Sequence, residues 1–153
     1  MNAKTLNHSR RANFILIISG TLPILLGLTV LIGWYTHNPT LIQVLPNLVP
    51  MQYNTALAFL LGGAGLLLNQ YKRPRLSLAC GGIVLLLGLL TLFQYIFWLD
   101  LGIDQLFMEH YITVATSHPG RMAPNTALSF MLTGIILAAI NPILRLKKRS
   151  RVV

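Results

Sequence analysis

Acidic residues are nearly missing from this chain: Asp100, Asp104 and Glu109 are the only three among 153 residues. Charged residues of both signs make up 10%, where a soluble domain carries roughly 25%. So little charge cannot cover a water-facing surface. Cysteine is also nearly absent. Cys80 stands alone inside an apolar run, which excludes an internal disulfide and a Cys-x-x-Cys metal or redox pair. No lysine lies within a long apolar run, which excludes a retinal Schiff base. No acidic residue lies there either, which argues against a proton-coupled pump or transporter. No histidine lies there to hold an intramembrane haem. His37, His110 and His118, with Met51, Met108 and Met122 near the same level, lack the spacing of a metal-ligand motif. No nucleophile–base pair and no nucleotide loop is visible, so the chain is read as a non-enzyme.

What is abundant is apolar sequence, 54% of the chain, in four long runs. The spans predicted are about 14–35, 51–71, 76–99 and 124–144. A helix of about 20 residues rises about 30 Å, enough to cross the hydrocarbon core of a bilayer. The first run is too long for a signal-peptide core and has no small-residue cleavage site near its end. Pro23 is expected to kink span one, and Asn141-Pro142 to bend or end span four. Between spans one and two, Pro39, Pro46 and Pro50 exclude a single helix, leaving room for a short turn at Leu41 to Leu45. Trp34 and Tyr35, then Phe93, Tyr95, Phe97 and Trp98, read as interfacial aromatic belts.

A thirteen-residue stretch occurs twice. Met51-Gln52-Tyr53-Asn54-Thr55-Ala56-Leu57-Ala58-Phe59-Leu60-Leu61-Gly62-Gly63 recurs as Met122-Ala123-Pro124-Asn125-Thr126-Ala127-Leu128-Ser129-Phe130-Met131-Leu132-Thr133-Gly134. Eight of the thirteen positions are identical. Each copy opens a predicted span, so the chain reads as two hairpins of similar sequence. Gly20 and Gly27 in span one match the spacing of Gly81 and Gly88 in span three. Glycines seven apart share a helix face and favour close crossings, within the chain or between chains.

The net charge of +9 does not point to nucleic acid, because the basic residues sit in clusters between the spans. With the N-terminus inside and four crossings, Lys4, Arg10, Arg11, Lys72, Arg73, Arg75, Arg145, Lys147, Lys148, Arg149 and Arg151 all lie inside. Only Arg121 lies outside. This asymmetry is the positive-inside rule, and the clusters suit anionic lipid head groups. The expectation is an all-α, multi-pass protein of a bacterial inner (cytoplasmic) membrane. A basic cytoplasmic N-terminus (1–13) and tail (145–153) flank a membrane domain (14–144). Both hairpins start inside, so they are parallel repeats about an axis along the membrane normal.

In this frame Asn54 and Asn125 lie at one depth, near the outer ends of spans two and four. One reading is helix capping and interhelical bonding, worth about 1 kcal/mol each. The other is a polar pair at the mouth of an outer pocket. Arg121 pairs with Asp100, Asp104 or Glu109 on one reading, and binds an anionic ligand group on the other. The candidate ligand-binding set is Asn54, Asn125, Arg121, Asp104, Met51 and Met122, with no catalytic residue and no metal ligand. The sequence names no cofactor.

Two outer strings carry a resemblance. They are Gln94-Tyr95-Ile96-Phe97-Trp98-Leu99-Asp100-Leu101-Gly102-Ile103-Asp104-Gln105-Leu106 and His118-Pro119-Gly120-Arg121-Met122-Ala123-Pro124-Asn125-Thr126-Ala127-Leu128-Ser129-Phe130. With Asn54-Thr55-Ala56-Leu57-Ala58-Phe59, they resemble the N-terminal multi-helix membrane module of bacterial sensor histidine kinases and diguanylate cyclases. The resemblance covers about residues 14–144. It implies a sensing or docking module. In that family a cytoplasmic output domain follows; here none follows span four, so the expectation is action through a separate membrane or cytoplasmic protein. The first copy also departs from the pattern, reading Gln52-Tyr53-Asn54 without the proline that precedes Asn125. The alternative is an accessory or structural subunit of a larger respiratory, photosynthetic or oxygenase-type membrane complex. Homo-oligomers suit either reading.

Overall fold

The computed structural model describes residues 3–43, 48–112 and 118–149. Among them every regular element is helical: α1 (Ala3–Tyr35), α2 (Pro39–Ile42), α3 (Tyr53–Gln70), α4 (Pro74–Phe97) and α5 (Pro124–Arg149). Residues 10–35 of α1, and α4, are long and apolar enough to cross a membrane; Pro124–Ile140 of α5 is a shorter apolar stretch. α3 is apolar only in its middle, with Asn54 at one end and Asn69 and Gln70 at the other.

Helix ends differ from expectation at α1 and α5. α1 begins at Ala3, because the basic segment before Phe14 offers helix-forming Lys, Leu and Arg and no Pro or Gly. It runs on through Pro23. α5 continues past Asn141-Pro142 to Arg149. α4 begins at Pro74, which suits a first helical turn, and stops at Trp98 in a left-handed conformation, φ 54°. The turn expected at Leu41 to Leu45 lies earlier, at Pro39–Ile42, where the Asn38 side chain accepts from Thr40 N at 3.1 Å. Residues 44–47 lie outside the described residues.

α3 is the hub. It packs on α1, on α4 and on α5, while α4 packs on α5. Glycine decides how close these pairs come. A side-chain carbon on Gly27 would sit 2.5 Å from the Ala56 carbonyl oxygen, and one on Gly88 would sit 2.5 Å from that of Ala127. Gly63 faces the Gly20 carbonyl, and Gly134 the Gly81 carbonyl. Backbone therefore lies against backbone at both the α1/α3 and the α4/α5 crossings, so these glycines serve packing within the chain.

The distribution of polarity is inverted from that of a water-soluble bundle. Phe14, Leu22, Leu25, Ile32, Leu78 and Leu86 are exposed along α1 and α4, while Ser77, Thr91 and Gln94 of α4 are fully buried. Among the described residues α1 makes no contact with α5. A gap is left between them at the ends nearest α2.

Candidate functional site

The site is built where α3, α4 and α5 meet the segment 98–123. Gln94 is a lone amide on an apolar helix, and it is fully buried. Its Oε1 accepts from Leu101 N at 2.8 Å and from Arg121 Nη2 at 3.3 Å. Its Nε2 donates to Asp104 Oδ1 at 3.1 Å. Arg121 Nε donates to the other oxygen, Asp104 Oδ2, at 2.6 Å. Arg121 Nη2 also donates to the Leu99 carbonyl at 3.4 Å, and its guanidinium lies 5.4 Å from the centre of the Tyr95 ring. Arg121 and Asp104 are 9% and 7% exposed, so this is a closed, mutually satisfied charge pair. Asp100, largely exposed, stands 3.7 Å from Arg121 and adds little in water.

Backbone turns bring these groups together. Gly102 and Gly120 adopt φ of +68° and +81°, which favour glycine. At Gly120 a side-chain carbon would meet the Asp104 carbonyl oxygen at 2.6 Å, so the turn before Arg121 rests directly on the backbone of Asp104. Asn54 Nδ2 donates to the Ile103 carbonyl at 2.9 Å and ties α3 to the same turn.

A second anchor holds the segment between α1 and α3. Trp34 is buried, not set at an outward-facing belt. Its Nε1 donates to the Met51 carbonyl at 2.9 Å, and Tyr111 packs edge-on against it at 5.0 Å. Tyr111 OH donates towards the Gly33 and Trp34 carbonyls at 3.4 and 3.3 Å. His110 lies 5.5 Å from Trp34, and its ring nitrogens have no hydrogen-bond partner among the described residues. Burial lowers the His110 pKa below the usual imidazole range, and burial raises that of Tyr111. Of the second aromatic group, Phe93, Phe97 and Trp98 are exposed, while Tyr95 turns inward and donates to the Met122 carbonyl at 3.2 Å.

Between the two anchors, in the gap between α1 and α5, lies a cleft of about 710 Å³. Its walls include Leu26 and Val30 of α1, Phe59 of α3, and Met51, Gln52, Thr55, Arg121, Met122, Ala123 and Thr126. Six of these are equivalent positions of the repeat: Met51 with Met122, Gln52 with Ala123, Thr55 with Thr126. Both copies of the repeated stretch therefore face one space.

The six candidate residues separate. Met51, Met122 and Arg121 line the cleft. Asp104 and Asn54 lie behind it, in the network that holds Arg121 and its turn. Asn125 is exposed, its Oδ1 accepting from Thr126 N at 2.9 Å, and it does not face Asn54. Sequence reasoning singled out neither Gln94 nor Gln52. The signal for Gln94 was present, a single amide inside an apolar span. Gln52 carried no signal, because its importance comes only from what surrounds it.

The chain matches no protein-family model, no curated protein and no solved structure.

Proposed function

We propose that this chain is a four-span protein of a bacterial inner membrane, built of two parallel hairpins with both termini cytoplasmic. It serves as a non-enzymatic, sensor-like module that takes a small ligand in its outer half and acts through a separate partner. One observation carries this reading: equivalent positions of both repeat copies line one cleft. A repeat used only for packing would place those positions against helices. The inverted polarity supports a lipid surround, since outward Leu, Ile and Phe have no other favourable solvent. The Arg121–Asp104–Gln94 network supports a rigid outer frame around the cleft rather than an anion site, because the guanidinium is already neutralised.

Native mass spectrometry after gentle extraction from the source membrane tests the proposal. A monomer or homodimer carrying one small molecule per chain is expected. A fixed-ratio assembly with other subunits and no ligand on this chain would overturn it.

That second result is the alternative, an accessory subunit. It is favoured by a collar of exposed apolar side chains at the outer end of α4 and beyond: Ile96, Phe97, Trp98, Leu106 and Phe107. Trp98 is 89% exposed. Such a collar suits a bilayer interface or a partner subunit equally well.

A further inference from the structure

The cleft also indicates what kind of molecule it takes, an inference that rests on the pocket reading above. Gln52 is 4% exposed and stands among the lining residues. Its Nε2 donates to the Pro50 carbonyl at 3.3 Å, which assigns the amide orientation. Its Oε1 then accepts nothing among the described residues. A buried acceptor without a donor costs free energy, and natural structures leave few of them. Gln52 lines the cleft, so turning its soft terminal torsion, at the cost of the long bond to Pro50, would bring this oxygen toward a ligand there.

The remaining chemistry narrows the head group. The nearest cation, Arg121, is neutralised by Asp104 at 2.6 Å and held by Gln94, so an anionic head gains no free charge. Tyr95 OH is already committed to the Met122 carbonyl. Among the described residues no donor stands opposite Gln52 Oε1. The other walls are mostly apolar, from Leu26, Val30, Ile42, Phe59 and Met122, and the gap between α1 and α5 opens the cleft sideways. The volume is in the range of small-ligand sites, about 300–1,000 Å³.

We propose that the cleft binds a neutral amphiphile whose hydroxyl-bearing head donates to Gln52 Oε1 while its chain lies along α1 and α3. Three probes of one chain length separate the terms: monolaurin, neutral with hydroxyl donors; methyl laurate, neutral without a donor; and laurate at pH 8, anionic. They are titrated against the full chain in phosphatidylcholine nanodiscs, because maltoside detergents would themselves compete as hydroxylated amphiphiles. Monolaurin is expected to bind roughly tenfold more tightly than methyl laurate, the scale of one buried hydrogen bond. In Gln52→Leu that ratio falls to within about twofold. Because the substitution removes an unpaired acceptor, the ligand-free variant unfolds at the same or a higher temperature, which separates loss of recognition from loss of fold. Thr126→Trp, filling the cleft, weakens both neutral probes. Laurate binding as tightly as monolaurin, or an unchanged ratio in Gln52→Leu, overturns the ligand class while leaving the pocket in place. No binding of any probe, together with indifference to Thr126→Trp, overturns the pocket as well.

Discussion

Arg121 illustrates how little a residue's charge says about its task. It is the only outer cation by sequence and a natural anion receptor. Its neighbours instead consume it: Asp104, Gln94 and the Leu99 carbonyl take three of its hydrogen bonds. Removing either charge strands the other in a buried site. Arg121→Met or Asp104→Leu should each destabilise the protein by about 3–5 kcal/mol, and Arg121→Met/Asp104→Leu by clearly less than their sum. Unfolding of the four proteins as a double-mutant cycle checks this. Additive losses would mean that the pair is not coupled. His110 predicts a pH dependence. Its pKa is lowered by burial, so the unfolded chain binds a proton more readily than the folded one. Stability should be fully present above about pH 6.5 and fall as pH drops from there through the folded pKa. Glu109 and Tyr111, the neighbours of His110 in sequence, and Trp34, whose ring lies 5.5 Å away, are retained in the test. Melting temperatures at pH 7.5 and 5.5 should converge in His110→Phe; an undiminished pH effect would place the titration elsewhere.

At the scale of the element, glycine sets the two tight crossings. Gly27→Leu would drive a side chain into the Ala56 carbonyl and the Leu60 backbone, which cannot move aside as a flexible side chain can. Gly88→Leu meets the backbone of Ala127 and Met131 in the same way. Each should cost at least about 1–3 kcal/mol, the scale of overpacking. Gly82 on the same helix has open space around it, so Gly82→Ala should be neutral or stabilising by up to about 1 kcal/mol. Thermal unfolding of the three variants decides between a specific crossing and a general intolerance of α1 and α4 to larger residues. α3, by contrast, is thin on two sides: Gly63 meets α1, while Gly65 meets Leu137 of α5 and Cys80 of α4. This lets one helix touch three others.

For the whole molecule, topology is the open statement with the sharpest test. In a Cys80→Ser background, Leu106→Cys should react with a membrane-impermeant maleimide in intact cells. Ser9→Cys and Arg75→Cys should react only after lysis. Labelling of Arg75→Cys in intact cells would invert or break the four-span arrangement. The helical class and the long apolar helices were legible because length and hydropathy act locally, and backbone groups in an apolar run have only each other to bond. The close approach at Gly20, Gly27, Gly81 and Gly88 was legible because a heptad keeps glycines on one face. The unlike fates of Asn54 and Asn125 were not. The two strings are nearly identical, yet the turn at Gly102–Asp104 reaches Asn54 while Asn125 stays exposed. Helix ends were less legible: α5, expected to bend or end at Asn141-Pro142, runs on to Arg149, and α1 starts at Ala3 rather than near Phe14.

The helices, their apolar surfaces, the repeat and the clustering of basic residues follow from composition and periodicity along the chain. The packing of distant segments settled that Arg121 is spent on Asp104 and Gln94, and, among the described residues, that Gln52 is buried without a donor and that α1 and α5 stand apart to leave a cleft. Those outcomes depend on which distant segments meet, and the free energy of a polar group is set by its partners in space rather than by its neighbours in sequence.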